Sequence, residues 1–252
     1  MIKFISLLFH KLTEDEPSEL MEVSKSLFER CLFSIKEASI PVMCLGDLVK
    51  LSSYTNSYKR AISITFDDGW DSDYKIAFLV LKEYGFKATF FIITDWINKK
   101  GYVQERWLKE MSQSGMEIGS HTLSHRYLTQ LSENEAYKEL YESKCKLEDL
   151  LGREMTAVSI PGGEYNSRIT KLAYKAGYKI IATSKPGINL AGSTLVNRIP
   201  IHSRTSLTDL KKIISFSPFF IFQLKSFYLA RALIKKTFGI DDYLTLRNWI
   251  IK

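Results

Sequence analysis

Short apolar or β-branched runs alternate with longer stretches of helical periodicity along this chain, and that alternation restricts its fold more than any other feature. The runs are Ile2–Phe9, Ala61–Phe66, Lys87–Ile92, Glu117–Ser120, Ala157–Ile160, Tyr178–Thr183 and Val196–Ile201. The intervening helix candidates are Glu19–Ala38, Tyr74–Tyr84, Val103–Ser114, Glu133–Leu151, Ser167–Ala176 and Ser206–Ser215. Several stop at a glycine able to cap them (Gly85, Gly115, Gly152, Gly177), and Ser132 is placed to cap the start of Glu133–Leu151. Strands separated by helices of this length pair in parallel through right-handed crossovers. Seven such units are one short of the eight-fold barrel, which takes typically ~250 residues. An open doubly wound sheet is the competing arrangement. In both, ligands gather beyond the carboxyl ends of the strands.

The 252 residues, 45% hydrophobic, suffice for one sizeable core and are too few for two full domains and a linker. Cys31, Cys44 and Cys145 form no Cys-x-x-Cys pair and no disulfide framework, which suits a reducing compartment. Met1–Leu12 has a short apolar run, broken by His10 and followed by Glu14-Asp15-Glu16, and reads as a first core strand, not a secretion signal. The formal charge of +7 is concentrated at the end: Ser203–Lys252 holds nine Lys and Arg against three Asp. The rest is nearly neutral, so nucleic acid is not an expected partner.

Residues able to bind metal or move protons are scarce, and they fall at strand ends. His10, His121 and His202 each follow a strand candidate directly, His125 lies four residues past one, and Asp67-Asp68 follow Ala61–Phe66. Two adjacent carboxylates turned into one pocket by Gly69 cannot ionise independently unless a cation holds one of them charged. A metal ligand beside a general base meets that requirement. Asp-Asp-Gly is equally the ordinary composition of a solvated Asx-type turn. His121 and His125, at i and i+4, converge either from a helical turn or from a tight loop, and two neutral imidazoles with one carboxylate form the protein half of a catalytic Zn²⁺ site. Alone, the pair also reads as two core or helix-end histidines.

Thr65-Phe66-Asp67-Asp68-Gly69 resembles the first signature of the polysaccharide deacetylase family, the NodB-type homology domain of carbohydrate esterases. His121-Thr122-Leu123-Ser124-His125 resembles its second, His-Ser/Thr-x-x-His, and Lys87-Ala88-Thr89-Phe90-Phe91 is similar to the family's second strand. The resemblance implies an α/β fold: a distorted (β/α) barrel of about seven parallel strands over residues 1–203, with residues 204–252 as a basic, apolar helical extension. It implies a divalent metal, with Zn²⁺ expected, and hydrolysis of N-acetyl (less often O-acetyl) groups on glycans. Asp67 becomes the general base, and Asp68, His121 and His125 the metal ligands. Ser159-Ile160-Pro161-Gly162-Gly163 stands where the family often has Arg-x-Pro-Tyr/Phe-Gly. The Pro-x-Gly is kept, and the arginine that orients the base is gone. A further expected acid is missing from Ala182-Thr183-Ser184-Lys185-Pro186. Ile199-Pro200-Ile201-His202 resembles a Leu-x-His motif, making His202 the candidate general acid, with a capping or structural histidine as its competing role. Pro161, Gly162, Gly163, Tyr165 and His10 are candidates for substrate contact, and His10 resembles a histidine frequent near the start of some members.

The expected partner is an acetylated glycan or its lipid- or nucleotide-linked precursor, met in the cytoplasm or at the inner face of the membrane. Phe219–Lys236, aromatic and basic, has two readings: a helix closing the barrel with snorkelling lysines, or a peripheral contact with an anionic membrane. Two other functions compete with N-deacetylation. One is O-deacetylation or non-sugar amide hydrolysis on the same fold. The other is a catalytically silent glycan- or membrane-binding module, for which the missing arginine and acid are the best support.

Overall fold

The computed structural model describes residues 1–51 and 58–238. In chain order its elements are β1 (Lys3–Phe9), β2 (Leu12–Thr13), β3 (Val23–Ser24), α1 (Lys25–Glu37), α2 (Leu45–Lys50) and β4 (Arg60–Phe66). A π-wound turn, Asp73–Phe78, then runs into α3 (Leu79–Tyr84), followed by β5 (Thr89–Ile92), α4 (Glu105–Gln113), β6 (Glu117–Ser120) and α5 (Glu133–Leu151). The last third comprises β7 (Ala157–Ser159), α6 (Ser167–Lys175), β8 (Ile180–Ala182), β9 (Asn189–Leu190), β10 (Leu195–Val196), β11 (Arg198–Pro200), α7 (Leu207–Ile214) and α8 (Pro218–Phe238).

The main sheet runs β10-β8-β7-β6-β5-β4-β1-β11, parallel throughout, with β9 paired antiparallel to β1. Its two ends, β10 and β11, are separated by Asn197 alone. One kinked strand therefore pairs with β8 through its first half and with β1 through its second, which nearly closes the sheet into a barrel. Counting β10 and β11 together, the strands number seven, each at an expected run, with β4 and β10 beginning one residue earlier, at Arg60 and Leu195. The open-sheet alternative is excluded.

Alternation along each strand sorts its side chains between two environments. In β4, Ile62, Ile64 and Phe66 join the large core under the helices, while Ala61 joins an interior cluster with Phe4, Phe91, Ile180, Ala182 and Val196. The same alternation turns Ser63 and Thr65, both fully buried, toward the interior and leaves Asp67 on that side at the strand's end. Leu45 and Leu48 of α2 complete the interior cluster.

The structure departs from the expected boundaries in three places. The helix expected from Glu19 begins at Lys25, because Val23 donates its N–H to the Lys11 carbonyl (3.0 Å) and the β2–β3 pair holds the chain extended; Ser24 then caps α1. Six-residue α2 was not foreseen, being too short to display a period. Tyr74–Tyr84 is helical as expected, but its first half is π-wound. Leu210, Ile213 and Ile214 of α7 and Ile221 of α8 belong to the main core, so the start of the C-terminal extension packs on the barrel. No single helix among the described residues is long and apolar enough to cross a membrane. The end of the expected extension, residues 239–252, lies outside the described residues.

Candidate active site

Asp67 ends the inward-facing row of β4 and is 2% exposed. Its carboxylate meets Arg198 of β11 in a two-pronged ion pair, Nη1 to Oδ1 at 2.7 Å and Nη2 to Oδ2 at 2.8 Å. Ser159 Oγ donates to the same carboxylate (2.9 Å) and accepts from Arg198 Nη2 (2.7 Å), while Arg198 Nε donates to the Thr183 carbonyl (2.9 Å). The guanidinium is fully buried and reaches Asp67 from the strand that closes the barrel. Burial alone would raise the pKa of Asp67; Arg198 and His121 outweigh it and hold the group anionic.

Asp68 would point away from the barrel interior if the strand continued. Its backbone instead enters the left-handed region (φ +80°), followed by Gly69 (φ +75°). That turn brings Asp68 Oδ1 to 3.4 Å from His121 Nε2 and 3.5 Å from His125 Nε2. His121 follows β6 directly and its Nδ1 lies 2.9 Å from the Ser159 carbonyl, which makes that nitrogen the donor and turns Nε2 toward Asp68; burial would lower the pKa of His121, but Asp67 and Asp68 outweigh it and raise it. His125 sits on a tight turn, not on a helix; Thr122 and His125 both have φ +65°. Burial and the neighbouring His121 hold the pKa of His125 down at about 4, so its ring is neutral at physiological pH. Burial penalises the Asp68 carboxylate, but the surrounding histidines win and its pKa is lowered.

Among the described residues Asp68, His121 and His125 are the one group of His, Cys, Asp or Glu spaced for a metal ion. The donor set suits the group. Tetrahedral Zn²⁺ with ligands at ~2.0–2.1 Å places neighbouring donors about 3.4 Å apart, and two of the separations here are 3.4 and 3.5 Å. The chemistry fits as well: two imidazoles and one carboxylate around a polar pocket leave room for further ligands.

These side chains line a cavity of about 460 Å³, together with His10, Lys11, Glu22, Trp70, Tyr127, Gly162 and Ser184. Trp70 Nε1 donates to Asp68 Oδ2 (3.2 Å), and Trp70 stacks on Tyr102 (4.7 Å). Trp96 packs between Tyr102 and His125, 4.8 Å from the first ring and 5.8 Å from the second. Gly162 (φ +64°) touches the cavity by its backbone; a Cβ there would lie 2.4 Å from Tyr127 Cε1, so the Tyr127 ring occupies the space that a side chain at 162 would need. A larger groove of about 780 Å³ between α1 and α7 holds no such donor set.

Of the residues singled out from sequence, Asp67, Asp68, His121, His125, His10 and Gly162 meet at this cavity. Pro161, Gly163, Tyr165 and His202 are not among its lining residues. Gly163 packs on Ser184, Tyr165 packs against the cluster under α5 and α6, and His202 sits in the turn before α7, its Nδ1 accepting from the Arg204 N–H (3.2 Å). Arg198, Ser159 and Tyr127 were missed. The visible signal for Arg198 was the one charged residue inside the strand candidate Val196–Ile201, which has to be buried with a partner.

Comparison with known proteins places this geometry. A family model described as polysaccharide deacetylase matches residues 55–181. The YxkH protein of Bacillus subtilis is 39% identical over 129 residues, covering 51% of this chain and 46% of that protein. A peptidoglycan-N-acetylglucosamine deacetylase of Bacillus cereus is 34% identical over 127 residues, covering 50% of this chain and 57% of the relative. This chain thus spans about half the length of the curated relatives it matches. Among solved structures, the Streptococcus pyogenes deacetylase PplD in complex with acetate superposes with a TM-score of 0.78 at 28% identity, covering 84% of this chain and 98% of that one. The matched span contains Asp67, Asp68, His121 and His125, and on these grounds the chain belongs to the polysaccharide deacetylase family.

Proposed function

We propose that this protein is a metal-dependent hydrolase that removes N-acetyl groups from an amino-sugar polysaccharide or its precursor. The observation that carries the reading is the adjacency, in one cavity, of an Arg198-paired carboxylate and three donors within 4.8 Å of one another, two of their separations being 3.4 and 3.5 Å. The Bacillus cereus relative, named a peptidoglycan-N-acetylglucosamine deacetylase, supports the class of bond, as does PplD with its acetate.

Asp68, His121 and His125 would hold the ion, which supplies Lewis-acid polarisation of an acyl carbonyl and acidifies water. Asp67, kept anionic by Arg198, takes a proton from the water that attacks the acetyl carbon. The carbon–nitrogen bond breaks, acetate leaves, and the sugar nitrogen takes up a proton. We assign that last delivery to His10 in place of His202, because His10 lines the cavity with Asp67 and His121. Burial lowers the pKa of His10 against the opposing pull of Asp68 and Asp67. Its ring is therefore neutral at rest, and the proton it hands to the nitrogen is the one Asp67 took from the water, which returns Asp67 to its anionic form.

The silent-module alternative drew its support from the missing motif arginine and the missing second acid, and the cation that Arg198 places on Asp67 answers the first of these. The test measures bound zinc, and acetate released from N-acetylglucosamine oligomers, for the wild type, Asp67→Asn, His125→Ala, His10→Ala and His202→Ala. Asp67→Asn is expected to keep its zinc and lose turnover, and His125→Ala to lose both. Normal turnover by Asp67→Asn refutes the assigned base. Zinc bound without turnover on any acetylated glycan favours the binding module. Loss in His202→Ala with none in His10→Ala reverses the assignment of the acid.

A further inference from the structure

We infer that Glu139, on α5 and outside the cavity, is the positioning residue that holds the His121–His125 turn in its metal-binding shape before any ion arrives. This rests on the metal reading above. The turn is costly by itself. Thr122 and His125, neither of them glycine, both lie in the left-handed region at φ +65°, and such residues persist only where surrounding bonds over-determine them.

The Glu139 side chain, 5% exposed, accepts the N–H of Leu123 (3.1 Å), the N–H of Ser124 (2.9 Å) and the hydroxyl of Ser124. All three donors come from the middle of the turn. On its other side the carbonyls of Thr122 and Leu123 accept from the N–H groups of Thr94 (3.2 Å) and Asp95 (2.9 Å). Ser120 Oγ accepts from the Thr122 N–H (3.0 Å) and Thr122 Oγ1 from the His125 N–H (3.3 Å), so the backbone donors from Thr122 to His125 all have partners.

Glu139 is the one ionisable side chain among those partners, and it makes no ion pair among the described residues. A buried carboxylate taken up with two amides and a hydroxyl defines where that segment lies. Its helix is a firm base: α5 runs from the Ser132–Glu135 capping box to Gly152, and buries Leu140 and Leu147 on either side of the body. Without the carboxylate two adjacent amides lose their acceptor, the turn relaxes, and His125 moves away from Asp68 and His121.

The experiment compares full-length wild type, Glu139→Gln and Glu139→Ala, each stripped of metal. Zinc affinity is read by competition with a chromophoric chelator, and amide exchange at residues 122–125 is read in the metal-free state. Glu139→Gln keeps the shape and loses the charge; it guards against an alanine variant that fails to fold. Both variants are expected to unfold cooperatively without metal, to exchange the 123 and 124 amides faster, and to bind zinc more weakly by about 10–100-fold, as outer partners of metal ligands do. Folded variants with wild-type zinc affinity overturn the proposal alone. Loss of the metal-free fold in Glu139→Gln also overturns it, since the residue then serves stability at large. A wild type that binds no zinc overturns the metal reading, and this inference with it.

Discussion

Asp67 and Arg198 are opposite charges buried almost completely, 2% and 0% exposed, and such a pair is tolerated only because both ends are also hydrogen-bonded. The folded pKa of Asp67 lies below its ordinary value, so its contribution to stability is present at neutral pH and is lost as pH falls through the folded value. Catalysis by Asp67 has the same sign, since the base works only when ionised. Arg198→Met should therefore move the acidic limb of kcat/KM to higher pH and destabilise the fold by about 3–5 kcal/mol. Arg198→Lys, which keeps charge without the fork, should shift the limb less; an unmoved limb in both would separate Arg198 from the base. Asp73 has the opposite sign. It is fully buried, neither carboxyl oxygen has a partner among the described residues, and burial with Asp68 and Asp67 nearby raises its pKa well above the ordinary value. Between its unfolded and folded pKa the native state binds more protons, so stability falls as pH rises through that window. Asp73→Asn should be more stable than wild type to urea at neutral pH and nearly equal at about pH 3; no gain at neutral pH would show that Asp73 has a hidden partner. At this scale the candidate ligands were legible in the sequence because two dyads at strand ends need only local spacing. Arg198 was not, because its pairing with residue 67 is set by how the last strand registers on the first.

Elements were read best where a single period ran long enough. The seven strand runs and α5, with its serine cap and closing Gly152, needed only apolar alternation and end signals. Pieces of two to six residues, β2, β3 and α2, carry no period, and the pairing of β2 with β3 decided where α1 could begin. The Pro161–Gly163 turn shows how one element depends on another. Gly162 was singled out by its place in a motif; what it does structurally is make room for Tyr127, which arrives from the loop after β6. Gly162→Ala should cost about 1–2 kcal/mol for the left-handed backbone alone, and more for the displaced ring. KM should rise along with the loss of thermal stability. Adding Tyr127→Ala should recover the steric part, so that the double mutant is less destabilised than the two singles summed. Simple additivity would mean that the two positions do not touch.

For the molecule as a whole, the extension after the barrel divides in its energetics. Leu210, Ile213 and Ile214 of α7 are buried, each worth about 1.5–3 kcal/mol, a sum comparable with the roughly 5–15 kcal/mol that separates a folded domain from its unfolded chain. A chain ending at Ser206 should fail to fold, whereas one ending at Ser217 loses chiefly Ile221 and should show a cooperative transition at lower denaturant. Equal stability of the two would place α7 outside the core. Zinc, binding only the native state, should raise the melting temperature in proportion to the logarithm of its excess over Kd, about 4 kcal/mol at a thousandfold excess. A midpoint indifferent to zinc would deny a specific site.

The guanidinium that keeps the base charged belongs to the strand that seals the cylinder. A ribosome releases residues 67, 68, 121 and 125 long before residue 198. A chain that stops short of that strand thus owns every candidate ligand and still lacks the partner that charges the proposed base. On the proposed reading, chemistry begins only when the last stave drops in, so hydrolytic power stays locked until the cylinder is sealed.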